Sequence, residues 1–295
     1  MKKNTLFTGS AVAIITPFTK SGVDFDAFGK LIEYQIANGT QAIIVCGTTG
    51  EPTTMTKDEK ASVIQYCIEK TAHRIPVIVG AGSNNTADAV SNALQAHQFG
   101  ADALLVVTPY YNKCTVKGLV AHYQAISDAV PLPIIAYSVP GRTGVNITAA
   151  AMKRLASVEN VVAIKEASGN MDQITDICAS CGDMIDVYSG DDGITVPMLS
   201  IGAKGVISVA ANIVPSQMQQ MCRSFFQGDT AAAAQMQLTL YPLIKALFCE
   251  VNPIPVKTAA SLMGFCSDIL RLPLTNMEDD TLQRLKNAMK ELSLL

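Results

Sequence analysis

Apolar and polar positions along the chain follow two rhythms. Short apolar runs bounded by breakers recur near residues 10–16, 41–46, 76–80, 102–107, 133–138, 161–165, 184–189 and 205–209. Continuous runs of this length predict strands buried on both faces, as in a parallel sheet covered by helices. Between them the apolar positions fall at helical spacing. Asp24 is placed as an N-cap ahead of Phe25, Phe28, Leu31, Ile32 and Ile36, and a stripe of Ala89, Val90, Ala93, Leu94 and Phe99 closes at Gly100. The stretches beginning Asn38-Gly39-Thr40-Gln41, Phe99-Gly100-Ala101-Asp102 and Ile201-Gly202-Ala203-Lys204 repeat one device. In each, a helix ends at glycine, a short turn follows, and an apolar strand begins.

Eight such alternations predict an α/β protein, a (β/α)8 TIM barrel, over residues 1–227. No G-x-G-x-x-G follows the first strand, which weighs against a dinucleotide-binding open sheet. Beyond Gly228 the strand rhythm stops. Ala231-Ala232-Ala233-Ala234 opens a helical stretch, Pro253 and Pro255 flank a second helix start, and residues 276–295 suggest a third. Residues 228–295 are therefore expected to form a small all-helical C-terminal region, too short to be an obvious independent fold.

Composition narrows the function classes. Of 295 residues, 49% are hydrophobic and 16% charged, enough apolar material for a large core and too little charge for a disordered chain. The net charge is −3 and the pI about 5.6, with no basic stripe, so nucleic acid is not an expected partner. No apolar run reaches the length of a membrane span. Lys2-Lys3 followed by Ala11-Val12-Ala13-Ile14-Ile15 superficially resembles a signal peptide. The apolar run is too short, and Thr16-Pro17-Phe18 is not a small-residue cleavage site. The expected location is cytoplasmic. The eight cysteines are scattered, mostly within apolar segments, as free thiols are, and Cys178-Ala179-Ser180-Cys181 stands alone near the end of a helical pattern.

The chemistry collects at the C-terminal ends of the predicted strands, where barrels of this kind place their active sites. The sixth strand, Val161-Val162-Ala163-Ile164, runs into Lys165-Glu166. A lysine at the end of a buried strand is costly to desolvate as an ammonium, and burial favours the free amine that attacks carbonyls. Read alone, the stretch favours the plainer alternative, a lysine that snorkels from a sheet edge into water. The other strand ends tip the balance. They carry Gly47-Thr48-Thr49-Gly50-Glu51, Thr108-Pro109-Tyr110-Tyr111-Asn112, Tyr137-Ser138-Val139-Pro140-Gly141-Arg142-Thr143-Gly144, Ser189-Gly190-Asp191-Asp192 and Ile207-Ser208. A Gly-flanked threonine pair is either a tight turn or a set of N–H and hydroxyl donors for a carboxylate. Tyr137 is a core aromatic or a proton carrier beside the lysine. Arg142, held between Pro140-Gly141 and Thr143-Gly144, suits a bidentate carboxylate contact. Tyr110-Tyr111 read in isolation is loop packing. Glu51, Glu166, Asp191 and Asp192 have no histidine near them, since His73, His97 and His122 fall in helical patterns, so no catalytic metal is expected.

Taken together, Gly47 to Glu51, Pro109-Tyr110-Tyr111, Tyr137-x-Val139-Pro140-x-Arg142-Thr143-Gly144, Ile164 to Ser168, Ser189 to Asp192 and Gly205 to Ser208 resemble the dihydrodipicolinate synthase family. This family belongs to the pyruvate-dependent class I aldolases, with N-acetylneuraminate lyase. The resemblance spans the whole chain. It implies that Lys165 forms a Schiff base with pyruvate, and that Tyr137, Thr49 and Tyr111 make a proton relay. It further implies that Tyr111 reaches into a neighbouring subunit's site, that Thr48 and Thr49 hold the pyruvate carboxylate, and that Arg142 binds the carboxylate of aspartate 4-semialdehyde. Ile207 offers a backbone carbonyl near the imine, and Gly190 belongs to the same substrate-binding set. No metal or organic cofactor is implied, and the implied assembly is a homotetramer, a dimer of dimers.

Two departures from the family pattern stand out. Ser138 occupies a position that is usually asparagine, with little expected consequence. Feedback-inhibited members bind lysine using histidines at the positions of Lys57 and Lys60, with residues matching Asn84, Asp88 (commonly glutamate) and Tyr110. Two extra cations here should repel a cationic effector, so lysine inhibition is expected to be weak or absent. Three rival functions are weaker. Sister aldolases for sugar acids generally lack the arginine at Arg142. A phosphosugar isomerase would hold phosphate in the loops after strands seven and eight, where Asp191 and Asp192 repel it. A keto-acid sensor without catalysis would not need the lysine and tyrosines intact.

Overall fold

The computed structural model describes residues 4–295, so Lys2 and Lys3 lie outside the described residues. Eight parallel strands form a closed barrel: β1 (Gly9–Ala13), β2 (Ala42–Val45), β3 (Val77–Gly80), β4 (Ala103–Val107), β5 (Ile134–Ser138), β6 (Val161–Glu166), β7 (Asp186–Ser189) and β8 (Gly205–Ser208). Their order is β1-β8-β7-β6-β5-β4-β3-β2. All eight predicted strands are present, and the (β/α)8 expectation holds. A two-stranded ribbon, Phe18–Thr19 with Gly22–Val23, precedes the first helix.

The helices follow from their caps. Asp24 accepts from Ala27 N at the start of α1 (Phe25–Ala37). Thr56 and Glu59 close a reciprocal capping box on α2 (Lys57–Thr71). Asn85, Thr115, Thr148 and Asn170 cap α3 (Thr86–Gln98), α4 (Val116–Ala129), α5 (Ala149–Leu155) and α6 (Met171–Cys181). The return turns carry Gly39, Gly100 and Gly202 at φ of 80°, 86° and 107°, a left-handed geometry that a Cβ would strain. His97 and His122 lie within α3 and α4, but His73 sits in the turn just past α2, itself left-handed at φ 56°. The eight cysteines are all free.

By compactness the chain divides into two units. The first holds Pro76–Ile207 with residues 4–8, and the second holds Gly9–Ile75 with Ser208–Leu295. In the first, β3 to β7 are laid in consecutive parallel register, so their C-terminal ends lie side by side. Its core is the aliphatic run of these strands: Ile78, Ala103, Leu104, Ile134, Ile135, Val161 and Ile164 are all at or near zero exposure. Phe7 stacks on Tyr188 at 4.2 Å and exchanges backbone hydrogen bonds with its hydroxyl.

In the second unit β1 pairs with β2, Ala11 opposite Ala42 and Ala13 opposite Ile44. α7 (Thr195–Ser200, in the first unit) lies between β7 and β8, and the helices after β8 are α8 (Pro215–Phe226), α9 (Thr230–Leu247), α10 (Ile254–Leu262) and α11 (Asp279–Glu291). The regular elements of the C-terminal region are all helices, as its sequence predicts, with a non-helical stretch over 263–278 between α10 and α11. α9 packs on α8 and α11. α10 is buried along almost its whole length, an unusual placement for a helix that contains Lys257.

Candidate active site

Lys165 is the penultimate residue of β6 and only 5% exposed. Strand alternation turns it and Glu166 to opposite faces. Its register partners are Tyr137 on β5 and Tyr188 on β7. Lys165 Nζ lies 4.4 Å from the centroid of the Tyr137 ring. Lys165 belongs to none of the ion pairs formed among the described residues. A buried amine at a strand end, beside a phenol and without a carboxylate partner, is the arrangement that carbonyl attack requires.

Gly190 is fitted to this lysine. A Cβ there would stand 2.7 Å from Ala167 Cβ, 3.0 Å from Glu166 O and 3.1 Å from Lys165 Cε. Only a glycine lets the loop after β7 pass so near the lysine stem. Gly190 N also donates to Glu166 O at 2.7 Å, which fixes that approach.

Glu166 faces away from Lys165 and is fully buried. Its carboxylate accepts from Ser168 N at 3.0 Å and from Gln173 Nε2 of α6 at 2.9 Å. Burial pushes its pKa up, and these donors pull it back. It anchors the turn after β6 to α6.

The loop after β5 carries Arg142 on a single helical turn, Pro140–Thr143. Thr143 pins that turn. It accepts from Thr108 Oγ1 at 3.1 Å and donates to Val145 O at 3.0 Å. Arg142 is exposed on this turn. Ser138, the departure from the family pattern, holds the end of that loop, because its hydroxyl accepts from Ile147 N at 3.2 Å. After β4, Tyr110 is half-buried while Tyr111 is 92% exposed with φ at 68°. Tyr111 is therefore not loop packing within this chain. Asp191 accepts from Gly193 N at 2.8 Å and serves as a turn cap. Ile207 is buried in β8.

In the second unit, β2 runs into the tight turn Thr48–Gly50, with Glu51 left-handed at φ 54°. Three side chains hold this turn. Thr16 Oγ1 donates to Gly50 O at 2.8 Å. Asn252 Nδ2 donates to Thr49 Oγ1 at 3.0 Å. Lys257 Nζ pairs with Glu51 Oε1 at 2.6 Å, and both side chains are fully buried. Burial lowers the Lys257 pKa, and Glu51 works against that shift. Lys257 and Arg271 both lie over the Phe18 ring, at 4.0 and 4.2 Å. Arg271 in turn grips Glu59 and the carbonyl of Thr54. Asn252, Lys257 and Arg271 were not among the residues singled out from the sequence. The available signal was a lysine inside the apolar run Ile254-Pro255-Val256-Lys257.

The residues singled out for an effector lie on α2 and α3 and in the loops before α3 and α4. Lys57 is exposed and Lys60 half-buried in the first turn of α2. Asn84 is half-buried and Asp88 exposed, Asp88 accepting from Asn85 Nδ2 at 3.1 Å. Among the described residues, no group of three or more His, Cys, Asp or Glu side chains is placed to hold a metal ion, and no helix is long and apolar enough to cross a membrane.

Comparison with known proteins agrees with this geometry. The 4-hydroxy-tetrahydrodipicolinate synthase of Geobacter sulfurreducens is 52% identical over 290 residues, covering 98% of this chain and all of the relative. The solved dihydrodipicolinate synthase of Aquifex aeolicus superposes with a TM-score of 0.95 at 46% identity, over 98% of this chain and 99% of its own. A monomeric dihydrodipicolinate synthase variant superposes with a TM-score of 0.96 at 44% identity, over 98% of both chains. The model of the dihydrodipicolinate synthetase family matches residues 6–292. With its family model matched almost from end to end and its buried strand-end lysine set against a tyrosine, the chain belongs to the dihydrodipicolinate synthetase family.

Proposed function

We propose that Lys165 is the nucleophile of this enzyme, with Tyr137 as its proton-transfer partner. The protein is a class I aldolase-type lyase that condenses pyruvate with L-aspartate 4-semialdehyde to 4-hydroxy-tetrahydrodipicolinate, in lysine and diaminopimelate biosynthesis. The observation that carries the assignment is the buried Lys165 amine, 4.4 Å from the Tyr137 ring centroid.

The steps follow from this placement. Lys165 Nζ adds to the pyruvate ketone carbon, and loss of water leaves a protonated imine. The imine withdraws electrons from the neighbouring methyl group, which gives up a proton and becomes an enamine. The enamine carbon attacks the aldehyde carbon of the second substrate, and the aldehyde oxygen takes up a proton. Water then adds to the imine carbon and frees the product from the lysine as a ketone, and the amine of the former semialdehyde closes the ring on that ketone with loss of water. Protons must be carried to and from the nitrogen and oxygen at each stage. We assign that work to Tyr137 together with Thr49 and Tyr111.

Thr48 and Thr49 are assigned to the pyruvate carboxylate, and Arg142 to the carboxylate of aspartate 4-semialdehyde. Gly190 and the Ile207 carbonyl complete the substrate-binding set. All the electron movement is supplied by the imine, so this mechanism calls for no metal and no organic cofactor. The near-complete exposure of Tyr111 in the single chain supports a role completed by a neighbouring subunit, within a homotetramer built as a dimer of dimers. A cytoplasmic location suits a reaction that draws on central metabolites.

Borohydride reduction in the presence of pyruvate, followed by peptide mapping, tests the assignment. A reduced pyruvate adduct is expected on Lys165 and is expected to vanish in Lys165→Ala. A folded protein that gives no adduct would overturn the Schiff-base mechanism for this chain.

A further inference from the structure

On the opposite face of the two strands that carry Tyr137 and Lys165, a second pair stands in register: Ser138 on β5 and Glu166 on β6, both 0% exposed. From Glu166 a chain of side chains leads to the loop that carries Arg142. Gln173 Nε2 donates to Glu166 Oε1 at 2.9 Å. Gln173 and Asn146 then exchange two hydrogen bonds, Asn146 Nδ2 to Gln173 Oε1 at 2.6 Å and Gln173 Nε2 to Asn146 Oδ1 at 3.1 Å. Asn146 lies four residues beyond Arg142, and the next residue, Ile147, is held through its N–H by the Ser138 hydroxyl at the root of the loop.

One carboxylate sets the polarity of this chain. Both oxygens of Glu166 are met by N–H donors, Ser168 N and Gln173 Nε2, and an ionised carboxylate can only accept. Glu166 therefore takes the amide nitrogen of Gln173 and turns the Gln173 oxygen toward the donor on Asn146. Gln173 is also released from the work its position would give it. It is the third residue of α6 after the Asn170 cap, where a glutamine commonly reaches back to the N–H of the cap residue. Here Ser168 Oγ accepts from Asn170 N at 3.2 Å, which leaves the glutamine amide to Glu166 and Asn146. The Gln173 backbone stays fixed, because Asn170 Oδ1 accepts from Gln173 N at 3.2 Å. Thr108, just past β4, fastens the same loop through Thr143. Gln173 fastens it to β6, at the residue beside the lysine.

We propose that Gln173 is a positioning residue for the second substrate: its amide, aimed by Glu166 and joined to Asn146, holds the Arg142 loop in place relative to the strand that carries Lys165. The proposal rests on the assignment of Arg142 to the carboxylate of aspartate 4-semialdehyde. The link sets where that carboxylate is anchored with respect to the enamine, and leaves imine formation with pyruvate unaffected.

The test uses the full-length enzyme with Gln173→Met, Gln173→Glu, Asn146→Ala, Arg142→Ala and the double variant of Gln173→Met with Arg142→Ala. Each is measured for the rate of pyruvate trapping on Lys165, for kcat and KM with aspartate 4-semialdehyde, and for thermal midpoint. Gln173→Met is expected to raise KM for the semialdehyde by about 10-fold through a displaced anchor, while kcat and the trapping rate stay within about 2-fold of wild type. Gln173→Glu keeps the shape but has no N–H to give Glu166, so it is expected to lose at least as much. Wild-type behaviour of Gln173→Glu would reduce Gln173 to packing and overturn the proposal. Asn146 is exposed, so Asn146→Ala cuts the link from the loop side and covers the case in which a Gln173 variant does not fold. It is expected to show the same split between KM and trapping, and equal losses of the two would overturn the proposal. In the Arg142→Ala background, Gln173→Met is expected to cost less than about 2-fold in kcat/KM for the semialdehyde, because the group it positions is gone; losses that multiply would overturn the proposal. Arg142→Ala with an unchanged semialdehyde KM would overturn the Arg142 assignment and the proposal with it. A normal Gln173→Met beside a defective Arg142→Ala would overturn the proposal alone, so the two failures are distinguishable.

Discussion

Lys165 and Tyr137 are register partners on neighbouring parallel strands, with the lysine Nζ 4.4 Å from the centre of the tyrosine ring. The tyrosine therefore presents two separable things to the lysine, an aromatic face and a hydroxyl. Tyr137→Phe keeps the face and removes the hydroxyl. The variant is expected to fold and to form the pyruvate adduct on Lys165, while kcat falls by about 10²- to 10⁴-fold, the usual worth of a positioned acid–base group. Trapping and steady-state rates measured on the same preparation check this. A rate within a few-fold of wild type would remove the hydroxyl from the proton path.

Gly190 makes a sharper steric prediction. The Cβ of Gly190→Ala would meet Ala167 Cβ at 2.7 Å and Lys165 Cε at 3.1 Å. The lysine stem is the softer of the two neighbours and is expected to move. Overpacking of this kind costs about 1–3 kcal/mol of stability. The larger effect is expected on chemistry, with imine formation slowed well beyond the change in the unfolding midpoint. Stopped trapping at short times against the urea midpoint separates the two. Wild-type trapping kinetics in Gly190→Ala would show that the loop after β7 does not position Lys165.

Much of this site was legible in the sequence because its signals are local. The apolar run ending in Lys165 marks both a buried strand and its exit, and Gly39, Gly100 and Gly202 mark the returns into strands with the backbone geometry observed. Tyr137 and Lys165 follow from consecutive strands, so the barrel itself brings them together. The support of Thr49 and Glu51 had no such marker. Asn252 and Lys257 lie more than two hundred positions away from their partners, and no periodicity joins them. Glu51 was visible only as one of four acidic residues at strand ends. Its buried partner was hidden in a proline-flanked helix start. Tyr111 read alone suggests loop packing, and only the family resemblance points outward; in the chain it is 92% exposed on a left-handed backbone.

The buried pair itself can be tested by removing its cation. Lys257→Met keeps much of the stem volume but leaves Glu51 without its cation, in a place where its second oxygen finds no hydrogen-bond partner among the described residues. Truncating one partner of a buried pair typically costs about 3–5 kcal/mol. The variant is expected to unfold at markedly lower denaturant. Lys257→Met combined with Glu51→Gln is expected to recover part of that loss, because the stranded charge is gone. No recovery would mean that the lysine stem, and not the charge pair, carries the stabilisation.

Feedback behaviour follows from charge. Lys57 and Lys60 stand in the first turn of α2, at positions where lysine-sensitive relatives are expected to present histidine. An incoming lysine brings another cation, and like charges at close range oppose binding. The enzyme is therefore expected to keep most of its activity at sub-millimolar L-lysine. The paired change Lys57→His with Lys60→His is expected to increase sensitivity. Half-inhibition of the wild type at sub-millimolar lysine would sink the charge argument.

Acid sensitivity has a specific source in Glu59. Arg271 donates to its carboxylate at 2.8 Å, and Thr56 N donates to the same group at 2.9 Å. Arg271 is the larger cause, and together they hold the Glu59 pKa at about 2 against an ordinary 4.5. A depressed carboxylate pKa adds stability that is complete above the unfolded value and is lost as pH falls through the folded one. The contribution of Glu59 is therefore present above about 4.5 and disappears toward about 2. Both side chains are about a quarter exposed, so solvent screens part of the pair, and Glu59→Gln is expected to cost about 1–2 kcal/mol at neutral pH. Urea midpoints for wild type and Glu59→Gln at about pH 7 and about pH 3 test the sign. The gap between them is expected to narrow in acid; a gap that stays constant would show that the side chain stabilises by packing and that its charge contributes nothing measurable.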